Sequence, residues 1–257
     1  RNLQENIEAL LLAEQELERL AKEYYEDIED ELNGSISKWV SYLTAGAYDS
    51  VRLDDTGKIY ILTGKEFLCY DGETVKAVSE DAYIPTILIS RNPTGGGTLY
   101  EGVNLINPKR KESFLGNATD KVYQLSANKI DSVNKVEVLG TNGEATEVTD
   151  YTADLTTGKI TFTKAYEPAV PGQDNVFITY TKTVEGYADR INKCTISDLY
   201  GVGGSNRVFL SGNPDYKSYD WYSDIFKPNY FPDLNYSIVG TSDTAIMGYQ
   251  RLGKYQM

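Results

Sequence analysis

The pattern of hydrophobic and polar positions changes along the chain at about residue 46. Before that point apolar residues recur at three- and four-residue spacing, which is typical of an amphipathic helix with a seven-residue character. Asn33 and Gly34 supply a stop, because both residues accept the left-handed conformation that ends helices. Ser35 can cap a second, short helix over 35–43. The sequence therefore predicts a helical segment over residues 1–45.

The first of these helices has an apolar stripe that needs a partner. A helix of about 30 residues is about 45 Å long, too long to be buried against a β domain of this size. We therefore expect contact with another subunit, and the oligomer contacts that we predict are Leu3, Ile7, Leu10, Leu17, Tyr24 and Ile28. The acidic run EYYEDIEDE lies at the helix end where the macrodipole disfavours it. It indicates a solvated face, with a basic partner as the alternative.

From residue 48 onward the pattern has a period of two. Three alternating stretches, 58–62, 66–70 and 74–78, are separated by Gly64 and by Asp71-Gly72, which supply the positive φ of tight turns. They predict an antiparallel meander. The pattern returns after residue 184 in YADRINKCTI, RVFLSGNP, DWYSDI, YSIVG and TAIMGY, each of which we interpret as a strand.

Between these parts lie six closely spaced alternating stretches. They are KVYQLS, KVEVLG, EATEVT, DYTADL, KITFTK and NVFITYTK. Such short strands in about 68 residues predict a small β-sandwich or barrel inserted into a larger unit. The predicted organisation is a helical segment at 1–45, a β body formed by 46–116 and 185–257, and an inserted β domain at 117–184. We interpret 91–111, with its run of three glycines, as a loop without the ending of a phosphate-binding motif.

Composition limits the function. The net charge is −13 with a pI near 4.6, which argues against direct binding of nucleic acid. Histidine is absent, which excludes serine–histidine and cysteine–histidine catalysis and most zinc sites. No apolar run is long enough for a membrane span. Cys69 and Cys194 lie in apolar contexts, which favours two buried free thiols over a disulfide.

The best candidate for a site is the stretch 207–232. Asp220 and Asp224 could supply the paired carboxylates of a glycoside hydrolase. A glycan or partner could instead bind an aromatic platform formed by Tyr219, Trp221, Tyr222 and Tyr230. Strand alternation places the acids on one face and Tyr219 and Trp221 on the other, which favours a structural interpretation over catalysis.

The chain also resembles a known class of proteins over residues 48–257. The strings GKIYILTGKEFLCYDGETV, NVFITYTKTVEGYADRI and NRVFLSGNPDYKSYDWYSDIFKPNYFPD are similar to virion proteins of tailed phages and prophages of gut Gram-positive bacteria. The resemblance implies a β-propeller-like component of the neck or tail, with an immunoglobulin-like insert. About 140 residues remain for blades, enough for about three, whereas a closed ring needs at least four. We therefore expect either that the chain is part of a longer protein, so that the propeller-like body is incomplete here, or that its sheets are completed in another way.

Together these observations predict a mainly β protein with a long N-terminal helix. We expect a non-enzymatic structural component of the virion, assembled in the bacterial cytoplasm, that forms homo-oligomers around the DNA path. Its expected partners are other copies of itself and other virion proteins, without sequence-specific DNA binding, cofactor or metal. A carbohydrate- or receptor-binding module is the alternative, and a glycoside hydrolase using Asp220 and Asp224 is the weaker one.

Overall fold

The structure of the protein is a computed structural model. It describes residues 35, 37, 38, 41, 42, 50–53, 58–140, 142–201, 206–241, 243–252, 255 and 256. The predicted helix over residues 1–34, and with it the predicted oligomer contacts Leu3, Ile7, Leu10, Leu17, Tyr24 and Ile28, lies outside the described residues. The described positions between 35 and 42 are helical, in agreement with the short second helix.

The first sheet is a four-stranded antiparallel meander in the order β1-β2-β3-β4. Its strands are β1 (Ser50–Leu53), β2 (Ile59–Leu62), β3 (Phe67–Tyr70) and β4 (Val75–Ala77). Two of the turns need glycine: Gly64 has φ +72° and Gly72 has φ +100°. The buried positions alternate along β2 and β3, as the period of two predicts.

A sandwich-like unit, built from two sheets, follows the first meander. The larger sheet has the order β10-β9-β13-β7-β5-β6, in which β5 runs parallel to β7 and the other pairs are antiparallel. Its strands are β5 (Thr86–Arg91), β6 (Thr98–Leu99), β7 (Lys109–Phe114), β9 (Ser132–Leu139), β10 (Ala145–Glu147) and β13 (Val176–Thr181). The smaller sheet, β11-β12-β8, consists of β8 (Val122–Gln124), β11 (Tyr151–Asp154) and β12 (Lys159–Phe162). Side chains from both sheets enclose one aromatic-rich core that includes Phe114, Tyr123, Phe162 and Tyr180.

The second sheet corrects the predicted boundary at residue 117. Strands β5, β6 and β7 precede that residue, yet they hydrogen-bond into the same sheet as β9 and β13. The segment 91–111, which the sequence analysis interpreted as a loop, therefore contains β6 and the start of β7. The connection between β6 and β7 leaves the sandwich-like unit and packs against the first meander. There Leu105 and Ile106 are buried in a separate core that also contains residues of β2 and β3.

The chain then forms a second four-stranded meander, β14-β15-β16-β17, preceded by a short helix. Its elements are α1 (Tyr187–Asn192), β14 (Ile196–Tyr200), β15 (Arg207–Ser211), β16 (Tyr219–Tyr222) and β17 (Tyr236–Ile238). A final hairpin consists of β18 (Arg251–Leu252) and β19 (Tyr255–Gln256). Strand β14 lies against β1 of the first meander, and the two sheets share a core with helix α1.

The mainly β, antiparallel character that the sequence predicts is confirmed. Two of the strand predictions after residue 184 are wrong. The first half of YADRINKCTI forms α1, with Ile191 and Cys194 turned into the core, and TAIMGY forms no strand. Cys69 and Cys194 are both buried, and neither forms a disulfide, as predicted.

Candidate functional site

The stretch 207–232 forms β15 and β16, the two inner strands of the second meander, and the loop that follows β16. Along β16 the side chains alternate as predicted, and Trp221 is 1% exposed within the shared core. Tyr219, on the same face, is half-buried and stacks on Trp221 with ring centroids 5.4 Å apart. A second ring, Tyr236 from β17, stacks on Tyr219 at 5.3 Å. Tyr219 thus already packs against two aromatic neighbours.

The predicted aromatic platform is not brought together on the surface. Trp221 and Tyr230 are buried, and Tyr222 is half-buried on the opposite face of β16 from Tyr219. The Tyr230 hydroxyl donates to the carbonyl oxygen of Gly102 at 2.8 Å, and burial raises the pKa of this phenol. A glycan needs an exposed ring face, so the prediction of a glycan contact at Trp221 and Tyr230 is wrong for this arrangement.

The two candidate acids have different local partners. The Asp224 carboxylate lies 3.3 Å from the Lys227 ammonium, whose nitrogen also lies 4.3 Å from the ring centre of Tyr83. The Asp220 carboxylate instead accepts a 2.5 Å hydrogen bond from the Tyr249 hydroxyl. Burial raises the pKa of Asp220 to about 6, although the hydrogen bond acts in the opposite direction.

The loop after β16 joins the two parts of the protein. Asn104 donates to the carbonyl oxygens of Tyr83 and Asn229 at 2.9 and 3.0 Å, and its own side-chain oxygen accepts from the Phe231 amide. The amide of Leu105 donates to the carbonyl of Phe231 at 2.9 Å. Through these hydrogen bonds, the loop 228–232 fixes the segment between β6 and β7 in place. We call this loop the clamp.

A second polar cluster lies inside the sandwich-like unit. The carboxylate of Glu112, with a fully buried side chain, lies 3.0 Å from the Arg91 guanidinium nitrogen Nε. It also accepts hydrogen bonds from the Tyr180 hydroxyl at 2.7 Å and from the amide and hydroxyl of Ser126 at 3.1 and 2.5 Å. The remaining Arg91 nitrogens donate to the carbonyls of Gly96 and Gln124. This buried ion pair links β5, β7 and β13, and sequence reasoning missed it because β5 and β7 were not predicted.

Among the described residues, the outer strand of the second meander carries exposed apolar side chains. Strand β17 is at the end of its sheet, and three apolar side chains on or beside it are exposed: Tyr236 by 37%, Ile238 by 54% and Val239 by 53%. We call these three residues the edge patch. The segment 234–242 contains no charged residue. On the sequence alone, YSIVG predicts a strand but gives no sign that the strand lies at an edge.

The described residues contain no group of three or more His, Cys, Asp or Glu side chains that could hold a metal ion. Within the same residues, no helix is long and apolar enough to cross a membrane. Comparison with known proteins identifies no relative: no family model, curated protein or solved structure matches this chain.

Proposed function

We propose that this chain is a non-enzymatic structural component of a tailed-phage particle. It assembles with copies of itself in the neck or tail, around the path of the DNA. The edge patch on β17 is the structural observation that supports this proposal, because it offers an uncovered surface suited to a further subunit. The strings in 48–257 that resemble virion proteins supply the link to phages.

The edge patch lacks the usual protection of a free strand. Exposed edges are normally guarded by charges or proline, because unpaired backbone groups can join a strand from another chain. The edge at β4 follows that rule: Lys76 pairs with Asp81 at 2.5 Å and with Asp71 at 3.7 Å. Strand β17 has no such pair among the described residues. Because the segment 234–242 is uncharged, a contact at β17 also brings no like-charged side chains of this segment together.

The arrangement of the two meanders supports the finer description. Four-stranded antiparallel sheets that meet through their first strands are compatible with neighbouring blades of a propeller-like body. In the proposal β1–β4 and β14–β17 are two such blades, and the sandwich-like unit between them is an immunoglobulin-like insertion. The acidic surface suits a protein past which DNA slides without binding.

The buried polar groups support a structural role for the interior. Glu112, Arg91 and Asn104 each connect strands or segments through several hydrogen bonds, which is the usual use of polar groups in a folded core. Asn104 joins the segment between β6 and β7 to the loop after β16, whereas the Glu112–Arg91 pair joins strands within the sandwich-like unit. Fixed positions of this kind suit a subunit of a large particle.

The contact at the edge patch can be tested with a charged substitution and a matched control. Ile238→Lys places a charge in the patch, whereas Val170→Lys changes an apolar residue of similar exposure (56%) in the sandwich-like unit. We expect Ile238→Lys to reduce the mass of the full-length oligomer measured by light scattering, and Val170→Lys to leave that mass unchanged. Equal masses for the wild type and both variants would show that the edge patch is not part of the contact between subunits.

The place in the particle needs a separate experiment. Antibodies against the protein, applied to particles induced from the host strain, should label the neck or tail in gold-labelled electron micrographs. Purified particles should also yield peptides of the protein by mass spectrometry. Particles that are free of the protein, while the host cells contain it, would overturn the assignment to the virion.

A further inference from the structure

The contact between Asp220 and Tyr249 links a central strand to the C-terminal part of the chain. Asp220 lies in β16, and Tyr249 lies in the segment 240–250, whose described residues, 240, 241 and 243–250, form no strand. Their oxygens are 2.5 Å apart, and the Tyr249 ring also lies 6.4 Å from the ring of Phe209 on β15. The Ile246 amide adds one backbone hydrogen bond, to Lys217, at 3.0 Å. A further hydrogen bond runs from the Thr244 hydroxyl to the carbonyl oxygen of Val239 at 3.0 Å, and these contacts attach the segment to the sheet.

The charges close to this contact are few among the side chains that the structure describes. None of the described lysine or arginine side chains forms an ion pair with Asp220, whose carboxylate accepts its hydrogen bond from Tyr249. The other groups that face the pair are the buried Cys194 thiol, which precedes β14, and the Ser211 hydroxyl of β15. The Ser211 oxygen is buried and has no well-aligned hydrogen bond. A carboxylate that is buried without a cation loses hydration, which disfavours its charged form.

We propose that Asp220 and Tyr249 form a proton-controlled latch for the segment 240–250. When Asp220 is protonated, the segment lies closed against the face of the second meander that carries Phe209. When Asp220 is ionised, the closed state becomes less favourable, and the segment opens more often so that water can reach the carboxylate. The latch controls the position of the chain that leads into the hairpin β18–β19. It does not depend on the proposed function.

The direction of the pH dependence follows from the two states of Asp220. Burial raises its pKa to about 6 in the closed state, whereas a hydrated aspartate has an ordinary value of 3.8. Closure is therefore favoured most below pH 4 and becomes weaker as the pH rises through 6. Two units correspond to a hundredfold change in the opening equilibrium over the whole pH range, and about tenfold of that change lies between pH 5 and pH 8. The chain contains no histidine, the side chain that ordinarily titrates between pH 5 and 8, so this transition should be visible.

Hydrogen exchange measured by mass spectrometry on the full-length protein tests the latch. Peptides covering 240–250 are followed at pH 5 and pH 8, with rates corrected for the intrinsic pH dependence of exchange. We expect the corrected protection of these peptides to be roughly tenfold lower at pH 8. Peptides that contain the Leu105 amide, which is bonded to Phe231 in the clamp, should show no change and serve as the control.

Two variants distinguish the latch from a general effect of pH. Asp220→Asn keeps a side-chain oxygen for the Tyr249 hydroxyl but cannot ionise, so protection of 240–250 should become equal at pH 5 and 8. Tyr249→Phe removes the hydrogen bond that favours the ionised form, so the midpoint of the transition should move to higher pH. Equal protection at both pH values in the wild type would overturn the latch. An undiminished pH dependence in Asp220→Asn, or an unchanged midpoint in Tyr249→Phe, would overturn it as well.

Discussion

The buried pair of Glu112 and Arg91 gives a quantitative prediction for the stability of the sandwich-like unit. Replacing Glu112 with Gln conserves the volume and keeps an oxygen that can accept from Tyr180 and Ser126. It removes the negative charge 3.0 Å from Arg91, whose side chain is only 6% exposed. The guanidinium keeps its bonds to two backbone carbonyls and its position 5.3 Å from the ring centre of Phe114, but no anion compensates it. The variant therefore isolates the effect of the buried charge.

The expected loss is large because the pair is buried. Removing one partner of a buried ion pair typically destabilises a protein by about 3–5 kcal/mol, so we expect the free energy of unfolding to fall by about 3 kcal/mol in Glu112→Gln. Tyr180→Phe is the matched control: it removes one hydrogen bond to the same carboxylate and leaves the ion pair. We expect that variant to lose about 1–2 kcal/mol.

Urea unfolding followed by circular dichroism measures both variants. In a Trp39→Phe background Trp221 is the one tryptophan, and it lies in the other core, so the transition in tryptophan fluorescence should move less than the transition in β-sheet signal. A loss below about 1 kcal/mol in Glu112→Gln, or one smaller than that in Tyr180→Phe, would refute the argument that the unit depends on compensation of the Arg91 charge.

Three further predictions concern packing, backbone conformation and thiol access. Trp221→Ala should lower the free energy of unfolding by about 3–5 kcal/mol in urea titrations and Tyr236→Ala by less than about 1, because only the first ring is buried; equal losses would contradict this. Gly158→Ala should lower the melting temperature more than Gly143→Ala. Both glycines have a positive φ, but at Gly158 an added Cβ would also lie 2.1 Å from a carbonyl oxygen; the reverse order would contradict this. Burial raises the pKa of the Cys194 thiol, so a disulfide reagent should label Cys194 only after denaturant is added. Rapid labelling of Cys194 in the native protein would contradict this.

The hairpins of the protein could be predicted because their signals are local. Asp71-Gly72 and the glycine after Thr63 mark the turns of the first meander, and the strands beside them alternate cleanly. All six stretches expected within 117–184 contain strands. The inward position of Trp221 also follows from alternation along β16.

Strand β7 could not be recognised from hydrophobicity. The alternate positions that face the sandwich core are Arg110, Glu112 and Phe114, and two of these three side chains are charged. A period-two pattern of apolar residues is therefore absent, although the strand is central to its sheet. The parallel pairing of β5 with β7 is a contact across a long connection, and no local motif indicates it.

The contact of Asp220 with Tyr249 could not be predicted from the sequence either. The two residues are 29 positions apart, and Tyr249 lies in a segment without regular structure. Nothing in the local sequence indicates which polar group a buried aspartate will meet. The short helix α1 escaped prediction for a simpler reason, because six residues are too few to establish a helical period.

The proposed function requires the protein to be a subunit of a homo-oligomeric assembly. Negative-stain imaging of the intact protein, together with its mass by light scattering, tests this requirement. We predict particles with rotational symmetry and a mass that is a multiple of the 28.7 kDa chain. A monodisperse species of 28.7 kDa across the accessible concentration range would show that the protein does not assemble with itself.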